Sequence, residues 1–261
     1  SLAHVFKLKS LAKETNAFSR RKETREKIKN LNIVDNVNDN IKESVKDSDL
    51  IVLGVPVGAM ESIVSDIVPF LKSGTIVTDV GSVKKHLIDS LLPILPSDVY
   101  FVPGHPIAGT EKSGPEAGFA ELFNGRWCIL TPNKNTSQEA LEKVKFIWEQ
   151  AGMQIATMDA EYHDRVLAIT SHIPHLVAFS IVGTVTELED QLKTEVIKYS
   201  AGGFRDFTRI AASDPVMWRD VFLNNSEAVL EMLGRFIEDL TALQKSIRWQ
   251  DGDSLEKLFT K

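Results

Sequence analysis

Between Lys13 and Asp159 short apolar runs take turns with segments of helical period. "TNAFS", "SDLIVLGVP", "TIVTDVGS", "VYFVPG", "RWCILTP" and "MQIATMD" read as strands. "KETREKIKNLNI", "GAMESIVSDIVPFLKSG", "VKKHLIDSLLPIL" and "SQEALEKVKFIWEQAG" read as helices, and so does the opening "SLAHVFKLKSLA" with its apolar Leu2, Val5 and Phe6. Continuous apolar strands that alternate with helices predict a parallel sheet covered on both faces. After Asp159 the strand pattern stops. "EYHDRVLAITSHIPHLVAFSIVGTV" and "SEAVLEMLGRFIEDLTALQKSIRW" then predict long helices. The expectation is α/β: a doubly wound, mostly parallel Rossmann-type sheet over residues 1–159, followed by an all-α domain over 160–261. A two-part body of this kind suits a site at its seam. "PGHPIAGTEKSGPEAG" and the following "FNGRW" are expected to form one long irregular loop, fixed by its Gly and Pro turns.

Composition narrows the partners. The 261 residues are 43 % hydrophobic and 25 % charged, which suits two modest globular domains. A net charge of −6 gives no global attraction to nucleic acid or to an anionic membrane, so the expected partners are small molecules or a second copy of the chain. No apolar run in the sequence is expected to reach membrane-spanning length, and the start of the chain does not read as a signal peptide. The one cysteine, Cys128 in "WCILTP", reads as a small buried hydrophobe, and a reducing cytoplasm fits best.

A doubly wound sheet binds nucleotides where its strands end. Those ends would be Ser19 to Arg21, Gly54 to Val57, Gly81 with Ser82, and Gly104 to Gly109. The glycine fingerprint G-x-G-x-x-G is absent. The expectation is therefore a chain that lacks the first strand and glycine loop of such a fold, with "SLAHVF" as the helix that follows it. Val55, Pro56, Val57 and Gly81 are then candidate cofactor contacts. Ser19 with Arg20 and Arg21 leans towards NADP over NAD, because arginines there accommodate a 2′-phosphate; two arginines at a helix start are equally a solvated turn.

Other residues carry two readings each. His105, before a proline, is either a turn-stabilising group or a base that titrates near neutral pH. Ser82 is an N-cap for "VKKHL", a ligand, or both. Arg209 in "FTRIA" either pairs with Asp206 or Asp214 or grips a carboxylate. His172 and His175 in "HIPH", with His163, have helical spacing but no third metal ligand or nearby general base in a recognised pattern, so no metal is expected. His175 is expected at the substrate end of the cleft, His163 with Asp164 in a polar contact between helices or subunits, and Trp218 as a core aromatic or a wall of the site.

Three blocks, "TDVGSVKKHLID", "GHPIAGTEKSGPEAGF" and "GGFRDFTRIAASDPVMWRDVF", resemble the prephenate/arogenate dehydrogenase family in order and spacing, and the resemblance runs across essentially the whole chain. It looks closest to the bacterial cyclohexadienyl type, which accepts either substrate. The resemblance implies NAD(P)-dependent oxidative decarboxylation in tyrosine biosynthesis. It implies His105 as base or hydrogen-bond acceptor, Ser82 holding the substrate hydroxyl and the nicotinamide, and Arg209 clamping the ring carboxylate. Thr110, Arg205 and His175 join the substrate set, and Glu111 beside Lys112 gates it. A homodimer through the helical domain is implied too, which suits the long apolar face of Val229, Leu230, Met232, Leu233 and Phe236. The competing readings are another two-domain hydroxyacid dehydrogenase or imino reductase, and a catalytically silent dimeric ligand-binding relative.

Overall fold

The computed structural model describes residues 1–109 and 112–261. The first half runs α1 (Leu2–Lys9), β1 (Asn16–Phe18), α2 (Lys22–Leu31), β2 (Asn36–Asn38), α3 (Ile41–Val45), β3 (Leu50–Leu53), α4 (Val57–Ile67), β4 (Ile76–Asp79), α5 (Lys85–Leu91), β5 (Tyr100–Val102), β6 (Gly104–Pro106), β7 (Trp127–Leu130), α6 (Gln138–Gln150) and β8 (Gln154–Thr157). The strand β2 and the short helix α3 carry too few apolar residues to show in the sequence pattern. Asn40 caps α3, its side chain accepting from the Lys42 N–H at 3.0 Å.

β1 and β2 pair in parallel, β3, β4 and β5 form a parallel ladder, and β7 and β8 pair in parallel. All four residues of β4 are buried because successive side chains point to opposite, covered faces. Val77 and Phe101 pack with Met60, Val64, Leu87 and Leu91 of α4 and α5. Ile76 and Val102 pack on the other face with Leu130, Val144 and Trp148. Burying so many large apolar groups on two faces is what holds this half together.

One expectation about the loop is corrected. The chain does not become irregular after Pro103: Gly104–Pro106 is strand β6, antiparallel to β7, with His105 opposite Ile129. Proline ends the β5 ladder, which it cannot donate to, and lets the chain turn into a new pairing. Gly104 is needed at that crossing. A Cβ there would stand 3.2 Å from the Asp79 carbonyl oxygen.

The second half contains α7 (Ala160–Leu167), α8 (Ile173–Thr186), α9 (Asp190–Lys198), α10 (Gly202–Ala211), α11 (Pro215–Asn224), α12 (Ser226–Arg248) and α13 (Gly252–Thr260). A π-helical stretch, Ala168–His172, joins α7 to α8 just ahead of Pro174. Proline lacks the N–H and crowds the preceding turn, so the wider π turn is a natural way past it. The joined helix, Ala160–Thr186, is long and apolar enough to cross a membrane by length and composition, contrary to the sequence expectation. In the sequence His163, Asp164, Arg165, His172 and His175 interrupt the run. In the fold its buried residues include His163, Asp164 and His172, and it forms the spine of the helical half.

The halves meet through side chains. Val83, just before α5, is wholly buried against Trp218, Val221, Phe179 and Phe222. At Gly58 in α4 a Cβ would stand 2.9 Å from an Asp220 carboxylate oxygen, so only glycine allows α11 to lie this close.

Candidate active site

The ends of β4 and β5 build the floor of the seam. Asp79 closes β4, and its carboxylate accepts from the Gly81 N–H at 2.8 Å and the Gly104 N–H at 3.2 Å. Lys84, completely buried, donates to Asp79 and, at 2.7 Å, to the Gly104 carbonyl oxygen. A buried ion pair is tolerated only when hydrogen bonds satisfy its remaining valences, and these do. The network fixes the chain on both sides of Ser82 and immediately ahead of His105. Neither Asp79 nor Lys84 was singled out from the sequence, although both lie in "TDVGSVKK".

Ser82 sits half-buried in the bend between β4 and α5. It does not cap α5. The side chain of Asp164, from the helical half, accepts the Lys84 N–H at 2.8 Å and the Lys85 N–H at 2.9 Å instead. Among the described residues no hydrogen bond is made by the Ser82 hydroxyl, which leaves it free for a ligand.

His105 is buried in β6. Its Nδ1 lies 2.9 Å from Nε2 of His163, and His163 Nδ1 lies 2.8 Å from Asp164 Oδ1. Burial first, then the nearby His163 and Lys84, hold the His105 imidazole well below its ordinary pKa. Burial also lowers His163, against the opposing pull of Asp164. The sequence anticipated a polar contact for His163 and Asp164. That the pair spans the domains to His105 had no signal in the sequence, because the residues stand 58 positions apart.

Beside them, Asn225 donates to the Asp164 carbonyl at 2.9 Å and to His172 Nδ1 at 3.1 Å. Burial pushes His172 down to about 4. His175 is half-buried, donates from Nδ1 to the Ser171 carbonyl at 2.8 Å, and stacks on Trp218 with ring centroids 3.7 Å apart. Burial lowers its pKa most; the nearby Arg209 charge adds to that, while the Ser171 bond opposes it. The helix that carries Arg209, α10, packs along α8, which carries His175. The guanidinium is exposed on α10 with Asp206 at 3.7 Å, and Arg205 is exposed on the same helix. Thr110 and Glu111 lie outside the described residues.

At the other strand ends Ser19 is half-buried, while Arg20 and Arg21 are exposed. Arg25, which drew no attention in the sequence, donates to the Ser19 carbonyl at 2.8 Å and the Arg20 carbonyl at 3.0 Å and so shapes that turn. Val57 is buried, and its Cγ2 would be 3.2 Å from a Cβ placed on Gly81, which brings the ends of β3 and β4 together. Val55 is half-buried and Pro56 exposed. Among the described residues no group of three or more His, Cys, Asp or Glu could hold a metal ion. A cleft of about 380 Å³ is lined by Lys85, Asp164, Asn225 and Glu227 among others, and holds none of the sequence-predicted site residues.

Residues 2–157 match the family described as prephenate dehydrogenase, nucleotide-binding domain, and residues 159–261 match prephenate dehydrogenase, dimerization domain. The chain is 44 % identical over 235 residues to a cyclohexadienyl dehydrogenase of Zymomonas mobilis, covering 90 % of this chain and 80 % of that protein. It is 34 % identical over 230 residues to prephenate dehydrogenase of Bacillus subtilis, covering 88 % of this chain and 62 % of that one. The fold superposes with a TM-score of 0.90 and 36 % identity on prephenate dehydrogenase from Aquifex aeolicus, solved in complex with hydroxyphenyl propionate and NAD+, over 99 % of this chain and 90 % of that one.

Proposed function

This chain belongs to the prephenate dehydrogenase family, and from that premise we propose how its residues divide the work of an NAD(P)-dependent oxidative decarboxylation of prephenate or arogenate. The observation that carries the division is His105: a buried imidazole, kept neutral by its surroundings, with one ring nitrogen tied to His163 and no described partner on the other.

In the reaction the ring carbon that bears the hydroxyl gives up its hydrogen as hydride, the bond to the ring carboxylate breaks to release carbon dioxide, and the ring becomes a phenol. The nicotinamide, when bound, supplies the hydride acceptor. His105 takes the hydroxyl proton as the carbonyl character develops and returns it to the phenolate oxygen, so no proton is lost overall. A positioned general base of this kind is worth about 10²- to 10⁴-fold in rate. Ser82 donates to or accepts from the same hydroxyl and the nicotinamide carboxamide. Arg209 swings from exposed Asp206 to bind the ring carboxylate through both prongs of its guanidinium. His175, held by Ser171 and Trp218, lines the substrate side, with Arg205, Thr110 and Glu111 assigned there by the family resemblance.

Residues 1–159 hold the nucleotide and residues 160–261 close over the substrate. The chain fits such a cofactor where Gly54 is exposed with open space at the place a Cβ would take, with exposed Pro56 and half-buried Val55 and Ser82 along the same edge and buried Gly81 and Val57 packed together beside them. Exposed Arg20 and Arg21, beside Ser19, favour NADP. A homodimer forms through the helical half: of the apolar face expected for it, Val229, Met232, Leu233 and Phe236 pack inside this chain, and α12 presents exposed Leu230, Ile237, Leu240 and Ile247 at helical spacing instead. The test is a two-by-two assay of the protein, prephenate and arogenate against NAD and NADP. Nicotinamide reduction with at least one pair supports the reading, and none with any pair contradicts it.

A further inference from the structure

The hydrogen bonds behind His105 determine where its proton sits. Asp164 has both carboxylate oxygens filled: Oδ1 by the Lys84 N–H and by His163, and Oδ2 by the Lys85 N–H. A carboxylate only accepts, so the hydrogen between Asp164 and His163 belongs to His163 Nδ1. A neutral His163 then carries a lone pair on Nε2. Its partner there is His105 Nδ1 at 2.9 Å, and that bond needs one hydrogen, which must be on His105.

We propose that His163 and Asp164 are positioning residues that hold His105 as the Nδ1–H tautomer, so that Nε2 is the acceptor presented to the substrate hydroxyl. This rests on the role given above to His105. The opposite tautomer would offer the hydroxyl a donor where the reaction needs an acceptor. A second consequence concerns the domains. Asp164 belongs to the helical half, yet it receives the two N–H groups that follow Ser82 and Val83, so one carboxylate sets both the proton on His105 and the place of the Ser82 bend. When His105 takes up a proton, the new cation shares its Nδ1–H with His163, and the Asp164 charge stands behind that ring. The other titratable or charged groups that act on His105 are Lys84 and His172, and Lys84 and Asp79 also act on His163.

The test begins with the unaltered protein. Nitrogen NMR of histidine-labelled protein at neutral pH is expected to show His105 with Nδ1 protonated and Nε2 bare; a His105 protonated on Nε2 overturns the proposal. The second measurement uses D164N. An amide has one acceptor oxygen where the carboxylate has two, so it cannot serve the Lys84 N–H, the Lys85 N–H and His163 together, and the proton on His163, and with it the one on His105, loses its fixed place. Turnover should then fall about 10²- to 10⁴-fold with KM changed less than about threefold, and the acid limb of the pH profile should shift. A folded D164N protein that keeps its turnover and its His105 Nδ1–H overturns the proposal. The wild-type spectrum needs no variant, so it decides the matter even if D164N fails to fold. Failure of the underlying reading looks different: His105→Asn would then retain turnover whatever tautomer the spectrum shows.

Discussion

The ammonium of Lys84 donates to the Gly104 carbonyl oxygen at 2.7 Å, inside the protein and beside the Asp79 carboxylate, so the end of one strand is bolted to the strand that carries His105. Removing one member of a buried pair strands the other charge. Lys84→Met should therefore cost about 3–5 kcal/mol of stability, read as a shift of the urea midpoint, and should also slow turnover by displacing His105. A midpoint within error of wild type would show that the pair is dispensable.

Gly104 gives a narrower test of the same crossing. With a Cβ 3.2 Å from both the Asp79 carbonyl oxygen and a Leu130 methyl, Gly104→Ala has to move backbone. Overpacking of this kind costs about 1–3 kcal/mol. Thermal denaturation should show the loss, and kcat should fall more than KM rises, because the shift is felt one residue before His105.

How far the sequence could be read depends on the range of the interactions. β3, β4, β5 and α6 were plain because apolar runs and helical periods are local signals, and the change to helices after residue 157 shows the same way. The three-residue β2 and five-residue α3 leave no such period. His105 looked like a loop residue because Gly and Pro flank it, yet β6 owes its pairing to β7, more than twenty positions away. Ser82 read as a cap because serine commonly caps helices, but the capping carboxylate comes from Asp164, 79 or 80 residues on from the N–H groups it accepts. The family blocks fall on β4 and α5, on β6 and on α10 and α11; the bonds between them are tertiary.

Arg209 should separate binding from chemistry. Its guanidinium is exposed and its Asp206 contact is long, so Arg209→Ala should leave stability within about 0.5 kcal/mol. Losing a charge-assisted bond worth about 1.5–3 kcal/mol should raise KM about ten- to hundredfold, with a smaller effect on kcat. Steady-state kinetics and a melting curve on one preparation check both parts.

Cofactor choice tests the first strand end. Replacing Arg20 and Arg21 together by Ala should lower kcat/KM with NADP by about tenfold or more and leave NAD nearly unchanged, since only the 2′-phosphate needs those charges. Equal losses with both cofactors would assign the pair to the turn alone.

Acid should destabilise the fold through its buried imidazoles. Burial lowers the folded pKa of His105, His163 and His175 and pushes His172 down to about 4. Below the unfolded value near 6.5 the unfolded chain binds protons that the folded chain refuses, so stability is whole above that pH and declines as pH falls from about 6.5 to 4. For His172 alone the loss by pH 4 is on the order of 3 kcal/mol. Urea midpoints from pH 7.5 to 4 should follow this slope, and His172→Gln should flatten it.

The account turns on His105 as the group that takes the substrate's hydroxyl proton, and the most direct measurement is the turnover of His105→Asn with the preferred substrate and cofactor. The prediction is a loss of about 10²- to 10⁴-fold in kcat at neutral pH, with cofactor binding intact by fluorescence titration. A variant that binds cofactor and turns over at the wild-type rate would contradict it.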